Sequence, residues 1–181
     1  MTDRQFTKSV ETIVKDDDEQ VAIGAVLVPD SVDRQMDFLR ADAIERLYND
    51  DAELGVMHSV FEQDHAETEH RLLDDPETIG GREYAAGTWI ARRKFENDNL
   101  WQLVKDGVLD GFSIGGTISE EREYAADEVP DDVEFPTDAD ETGDMFEVNE
   151  IIDGSVHEVS SVDVPAVPEA DHAVVKAADK S

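Results

Sequence analysis

The 181 residues contain no cysteine, which excludes disulfides, thiolate-bound metals and a cysteine nucleophile. Basic residues are scarce, with 15 Lys and Arg against 46 Asp and Glu and a formal charge of −31. A surface of that sign repels a phosphate backbone, so no nucleic-acid partner is expected. No stretch of the sequence approaches the ~20 apolar residues of a membrane span. The first 20 residues lack the apolar core of a secretory leader. A soluble protein with no membrane partner, staying where it is made, is the expectation. Neither G-x-x-x-x-G-K-[ST] nor G-x-G-x-x-G occurs, which argues against a nucleotide cradle.

An acid excess this large fits either a disordered, solvating chain or a folded protein adapted to molar salt, where screening suppresses self-repulsion. The runs VAIGAVLV (21–28) and GTWIARRKF (87–95) are too apolar and too regular for wholesale disorder. The halophilic reading follows, and the charge then describes the surroundings more than the partner. The length is that of one domain with a sizeable core.

Residues 1–20 are poor in pattern and read as a lead-in strand or loose N-terminal arm. VAIGAVLVPD (21–30) is apolar on both faces and closes at Pro29, as a buried strand does. In 41–50, Ile44, Leu47 and Tyr48 fall at helical spacing with Asp42 placed to cap. LGVMHS (54–59) predicts a strand ending at His58, and 61–83 reads as an acidic insertion with turns at Pro76 and Gly80–Gly81. A strand is expected over 85–95. Next comes a helix capped by Asn97 or Asp98, striped by Leu100, Leu103 and Val104, and stopped by Gly107. From Glu120 to Asp144 twelve acids accompany one arginine and two prolines, the composition of a solvated loop or disordered insertion. MFEVNEIID and SVHEVSSVDVPAVP predict a strand pair, or a strand plus turn, before a flexible tail at 169–181. This order predicts an α+β domain over 21–168, a mostly antiparallel β-barrel or sheet with short surrounding helices.

GFSIGG (111–116) sets Ser113 among glycines. Such a setting suits either a tight turn needing positive φ or a nucleophile that a substrate backbone can approach. Residues 111–115 satisfy G-x-S-x-G, yet a helix and glycine turn precede the serine and two adjacent glycines follow it. That is the wrong context for a hydrolase elbow, which needs a strand before and a helix after. A serine also needs a base. His58 ends an apolar strand, whereas His65 and His70 lie in an exposed acidic setting, five residues apart and without H-E-x-x-H, so no metal site is expected. In SVHEVSSVDV, regular alternation puts Val156, Glu158, Ser160 and Val162 on one face and His157, Val159, Ser161 and Asp163 on the other. Glu158 thus interrupts the more valine-rich face, where a buried carboxylate must be paired. On the residues alone it is equally well a solvated residue of an edge strand.

AIGAVLVPDSVDRQMDFL (22–39), GVMHS (55–59), LWQLVKDGVLDGFSIGGT (100–117) and HEVSSVDVPAVPEA (157–170) together resemble the prohead, or capsid maturation, serine proteases of tailed viruses, in their XkdF-like branch. That family looks distantly similar to herpesvirus assemblin, which implies a β-barrel surrounded by helices. The resemblance implies Ser113 as nucleophile, His58 as general base and Glu158 as third member, with His157 and Asp163 open for that last role. It implies no cofactor, and Gly115 and Gly116 letting backbone amides and substrate come close. The implied substrates are capsid scaffold protein and major capsid protein, cut inside the assembling prohead in the host cytoplasm; homo-oligomer formation stays open. The rival expectation is a catalytically silent internal scaffolding protein of the same fold.

Overall fold

The computed structural model describes residues 4–33, 36–56, 68–135 and 147–163. The two-sided apolar run at 21–28 forms β2 (Val21–Leu27), buried along almost its whole length. It pairs antiparallel with β1 (Arg4–Asp16) on one side and β8 (Trp89–Lys94) on the other. β1 is a corner strand. Its first half, Arg4 to Glu11, pairs with β9 (Gly111–Ala125), its second half pairs with β2, and the register shifts between Thr12 and Val14. A bulge of this kind bends a strand and lets it pass from one sheet to another.

β9 pairs in turn with β10 (Glu147–Val162). Two short strands, β3 (Asp37–Leu39) and β4 (Glu53–Val56), run parallel to β10 along its far edge. β5 (Thr68–Leu72) adds to β8, giving the order β3-β10-β9-β1-β2-β8-β5 with β4 beside β10. One hydrophobic cluster holds Ala22, Val26, Trp89 and Ala91 from one half of the sheet with Phe112, Ile114, Val156 and Val159 from the other. The sheet therefore curls around a shared core. Among the described residues no pairing joins its two ends, so the barrel alternative gives way to an open sheet.

Helix α1 (Ala41–Leu47) buries Ala43, Ile44 and Leu47. Asp42 lies inside its first turn and Arg40 occupies the cap position, so Asp42 is not the cap; it binds the Ala43 amide and pairs with Arg46. This helix covers the stretch of β10 between β3 and β4. Arg46 Nε donates to the Ile152 carbonyl at 3.0 Å and Asn49 Nδ2 to that of Val156 at 2.9 Å, satisfying an otherwise bare strand edge. Helix α2 (Asp98–Lys105) is capped by Asn97, whose side chain accepts from the Asn99 and Leu100 amides. Gly107, at φ 78°, ends it. Trp101 and Val104 carry its buried face, while Leu103, expected in the stripe, is exposed.

The described parts of the two acidic stretches, 68–83 and 120–135, are more ordered than their composition predicts, and 61–67 and 136–144 lie outside the described residues. Within 61–83 lie β5 and a hairpin of β6 (Glu77–Ile79) and β7 (Arg82–Tyr84), turned by Gly80 and Gly81 at φ 60° and 82°. That hairpin lays Ile79 and Tyr84 over Ala25 and Ile90. Within 120–144, β9 continues to Ala125, a 3₁₀ turn spans Ala126–Glu128, and Val129 and Val133 join Val32, Phe38 and Val148 in a small second core. The expected pair of final strands is one strand, β10, running through Gly154.

Candidate active site

Ser113 sits in the middle of β9, flanked in register by Ser9 of β1 and Ser160 of β10; Ser160 is in turn paired with Gly55 of β4. Both Ser113 and Ser160 are fully buried. Residues 111–116 are extended strand, and none of the described positive-φ residues lies among them. The tight-turn explanation of the glycines therefore fails.

A different cause stands opposite Gly115. Glu158 is its partner across the β9–β10 ladder, and a β-carbon on Gly115 would lie 2.5 Å from Glu158 Oε1, 2.9 Å from its Cγ and 3.1 Å from its Cδ. The missing side chain makes room for the Glu158 carboxylate. The second carboxylate oxygen, Oε2, accepts a hydrogen bond from the Ser160 hydroxyl.

Glu158 reaches this position because the β10 register shifts between Val156, opposite Gly116, and Glu158, opposite Gly115, leaving His157 as the extra residue. A β-bulge reverses the face presented beyond it. Val156 and Val159 accordingly both point into the core with Ile114, while Glu158 and Ser160 share the Ser113 face. Regular alternation had grouped Val156 with Glu158, and the bulge overturns that grouping.

Both alternatives for the third residue are exposed. His157 is exposed, with Nε2 at 3.2 Å from Thr117 Oγ1 and 3.3 Å from Ser155 Oγ. Thr117 is four strand residues beyond Ser113, roughly 13 Å along β9. Asp163 follows the end of β10 and is exposed. His58 and His65 lie outside the described residues. His58 follows Val56, the last residue of β4, by two positions, and Val56 is paired with Ser161. His70, expected in an exposed acidic setting, is half-buried against Trp89, whose indole N–H donates to its Nδ1 at 3.0 Å. Burial pushes its pKa below the ordinary value, with a weaker opposing pull from Asp50.

Two buried cations tie the site strands together. Lys15 Nζ, near the end of β1, is 2.9 Å from Asp110 Oδ1, and the Asp110 amide donates to the Val162 carbonyl. Arg93 Nη1 donates to Ser161 Oγ at 3.0 Å, with its guanidinium over the Phe95 ring at 4.6 Å. Neither cation stands out in the sequence, where Arg93 is the middle of three consecutive basic residues and Lys15 is one of three in β1. Among the described residues no group of three or more His, Asp and Glu side chains is arranged to hold a metal ion.

Residues 9–123 match the family described as "Putative phage serine protease XkdF". Phage-like element PBSX protein XkdF of Bacillus subtilis (strain 168) is 28% identical over 118 residues, which cover 63% of this chain and 41% of that protein. Uncharacterized protein YqbD of the same strain is 27% identical over 117 residues, 62% of this chain and 36% of its own length. The chain thus spans well under half the length of these curated relatives. No solved structure matches. The family match takes in His58 and Ser113 and ends before Glu158.

Proposed function

This chain belongs to the phage serine protease XkdF family, and from that premise we propose that it is a serine endopeptidase processing scaffold and major capsid protein during prohead maturation. Ser113 is the nucleophile, His58 the general base and Glu158 the acid that orients the base. The observation that carries this reading is the seat of Glu158: its carboxylate lies over Gly115, two residues from Ser113, held by Ser160, the cross-strand neighbour of Ser113. A serine with a carboxylate fixed on the same strand face supplies two of the three groups of a hydrolytic triad. The third, His58, lies in the family-matched segment.

In this mechanism His58 accepts the Ser113 hydroxyl proton as Oγ attacks the peptide carbonyl. Glu158 favours the imidazolium that forms, the proton passes to the leaving amine, and water releases the acyl group from the serine. No cofactor takes part. We read the acidic surface as an adaptation to molar salt.

One observation favours the rival reading of a silent scaffolding protein: Ser113 has no exposed surface, so a substrate must displace whatever covers it. Co-expression with the neighbouring capsid and scaffold proteins in high salt separates the two. Shortened products seen by intact mass with the wild type and lost with Ser113→Ala support the protease. Cleavage that persists in Ser113→Ala, or intact chains in both, refutes it.

A further inference from the structure

We propose that Ser160 is a positioning residue for the reaction assigned to Ser113, holding the Glu158 carboxylate in its working orientation; the inference rests on the protease reading above. A fully buried hydroxyl requires a hydrogen-bond partner, and the partner of Ser160 is Glu158 Oε2, two residues earlier on the same strand face. A half-buried glutamate on a strand surface has several side-chain rotamers, and the Ser160 hydroxyl bond favours the one that meets it. Oε2 accepts from the Ser160 hydroxyl, and Oε1 occupies the space that the absent side chain of Gly115 leaves open.

Ser160 also stands directly opposite Ser113. Side chains so paired share a face, with β-carbons about 5 Å apart. The residue that fixes the acid is thus the lateral neighbour of the nucleophile. A loss at Ser160 reaches Ser113 chemistry through Glu158 without removing any group that bonds to substrate. A serine that merely satisfies a buried carboxylate would change stability alone.

The test is the rate at which a fluorophosphonate labels the full-length chain between pH 5 and 9, read alongside the melting temperature. Ser113→Ala should abolish labelling. Ser160→Ala should slow it about 10-fold, within the roughly 100-fold that misplacing a catalytic group can cost, and move the acid limb of the profile to lower pH, because a displaced carboxylate no longer favours the protonated base. Ser160→Thr keeps a hydroxyl and should recover labelling to within about 3-fold of wild type. Ser160→Cys, near in volume and only a weak donor, gives the same comparison should the alanine variant not fold. In a Glu158→Gln background, Ser160→Ala should add little further loss, since residues acting as a unit are not additive. Wild-type rate and pH profile in Ser160→Ala would overturn the proposal, as would equal slowing in Ser160→Thr. An unlabelled wild type, or labelling that survives Ser113→Ala, overturns the protease reading and this proposal with it, a result distinct from normal labelling in Ser160→Ala.

Discussion

Replacing Gly115 with alanine puts a methyl group where Glu158 already sits. With Cγ at 2.9 Å and Cδ at 3.1 Å from the new carbon, rotating the carboxylate tip does not clear the clash. The whole side chain has to adopt another rotamer, which takes Oε2 off the Ser160 hydroxyl. A hydrogen bond to a charged group contributes about 1.5–3 kcal/mol, and a hydroxyl left buried without a partner costs about 1–3 kcal/mol. Glu158 is half-buried and regains water when it swings out, so the net loss should be about 2 kcal/mol, roughly 4–8 °C of melting temperature for a chain of this size. Fluorophosphonate labelling of Ser113 should fall at least about 10-fold with it. The control is Gly115→Ala in a Glu158→Ala background, where the methyl meets no carboxylate. The alanine should then be close to neutral, giving a coupling of about 1–2 kcal/mol between the positions. A Gly115→Ala variant that melts and labels like wild type would refute the seating of Glu158 over Gly115. So would a penalty that survives removal of Glu158.

At Gly154 the obstruction is backbone. An added β-carbon would press on the Thr117 carbonyl oxygen, with Ile118 Cα at 3.2 Å, and no rotamer relieves that. Gly154→Ala should therefore cost about 3 kcal/mol by urea denaturation; a loss under about 1 kcal/mol would contradict the β9–β10 register. His70 should make stability depend on pH. Burial lowers its folded pKa below the ordinary 6.5, so below that pH the unfolded chain binds more protons, and stability falls as pH drops from about 6.5 towards the lowered value. The urea midpoint of wild type relative to His70→Gln should accordingly narrow from pH 7.5 to pH 5, and a pH-independent difference would refute the assignment. Finally, with a formal charge of −31, the melting temperature should rise as NaCl goes from about 0.1 M to about 1 M and the screening length shrinks from about 10 Å to about 3 Å. A flat response would show that self-repulsion is not limiting.

Elements whose cause is local were legible in the sequence. Helix α2 carries its own cap at Asn97 and its own stop at Gly107, and β2 shows as an unbroken apolar run because Ala22 and Val26 pack in the main core on one face and Ala25 packs with Ile79 and Tyr84 of the β6–β7 hairpin on the other. Elements that depend on a distant partner were not. Composition marks 120–144 as a solvated loop or disordered insertion, yet β9 is drawn on to Ala125 by pairing with β10, and Val129 and Val133 are buried because Val32 and Phe38, nearly a hundred residues earlier, come to meet them. The same holds for His70, which is acidic in its neighbours along the chain and aromatic in its neighbours in space.

The candidate site was legible in its residue types and misread in its geometry, for one physical reason. Strand alternation has a period of two, so a single extra residue exchanges the faces of everything beyond it. At His157 that exchange takes Glu158 off the valine face and sets it beside Ser113 and Ser160, while Val156 and Val159 keep the core. No local feature of SVHEVSSV announces the bulge. The matching feature lies on the partner strand, about forty residues earlier, where Gly115 leaves room for the displaced acid. The bulge and the glycine therefore specify each other: without the shift Glu158 would face the core unpaired, and with any side chain at position 115 the shifted glutamate would have no seat. A glycine beside a strand serine can thus be required by the side chain opposite rather than by a turn, and the residue facing it across the ladder is the first place to look for the cause.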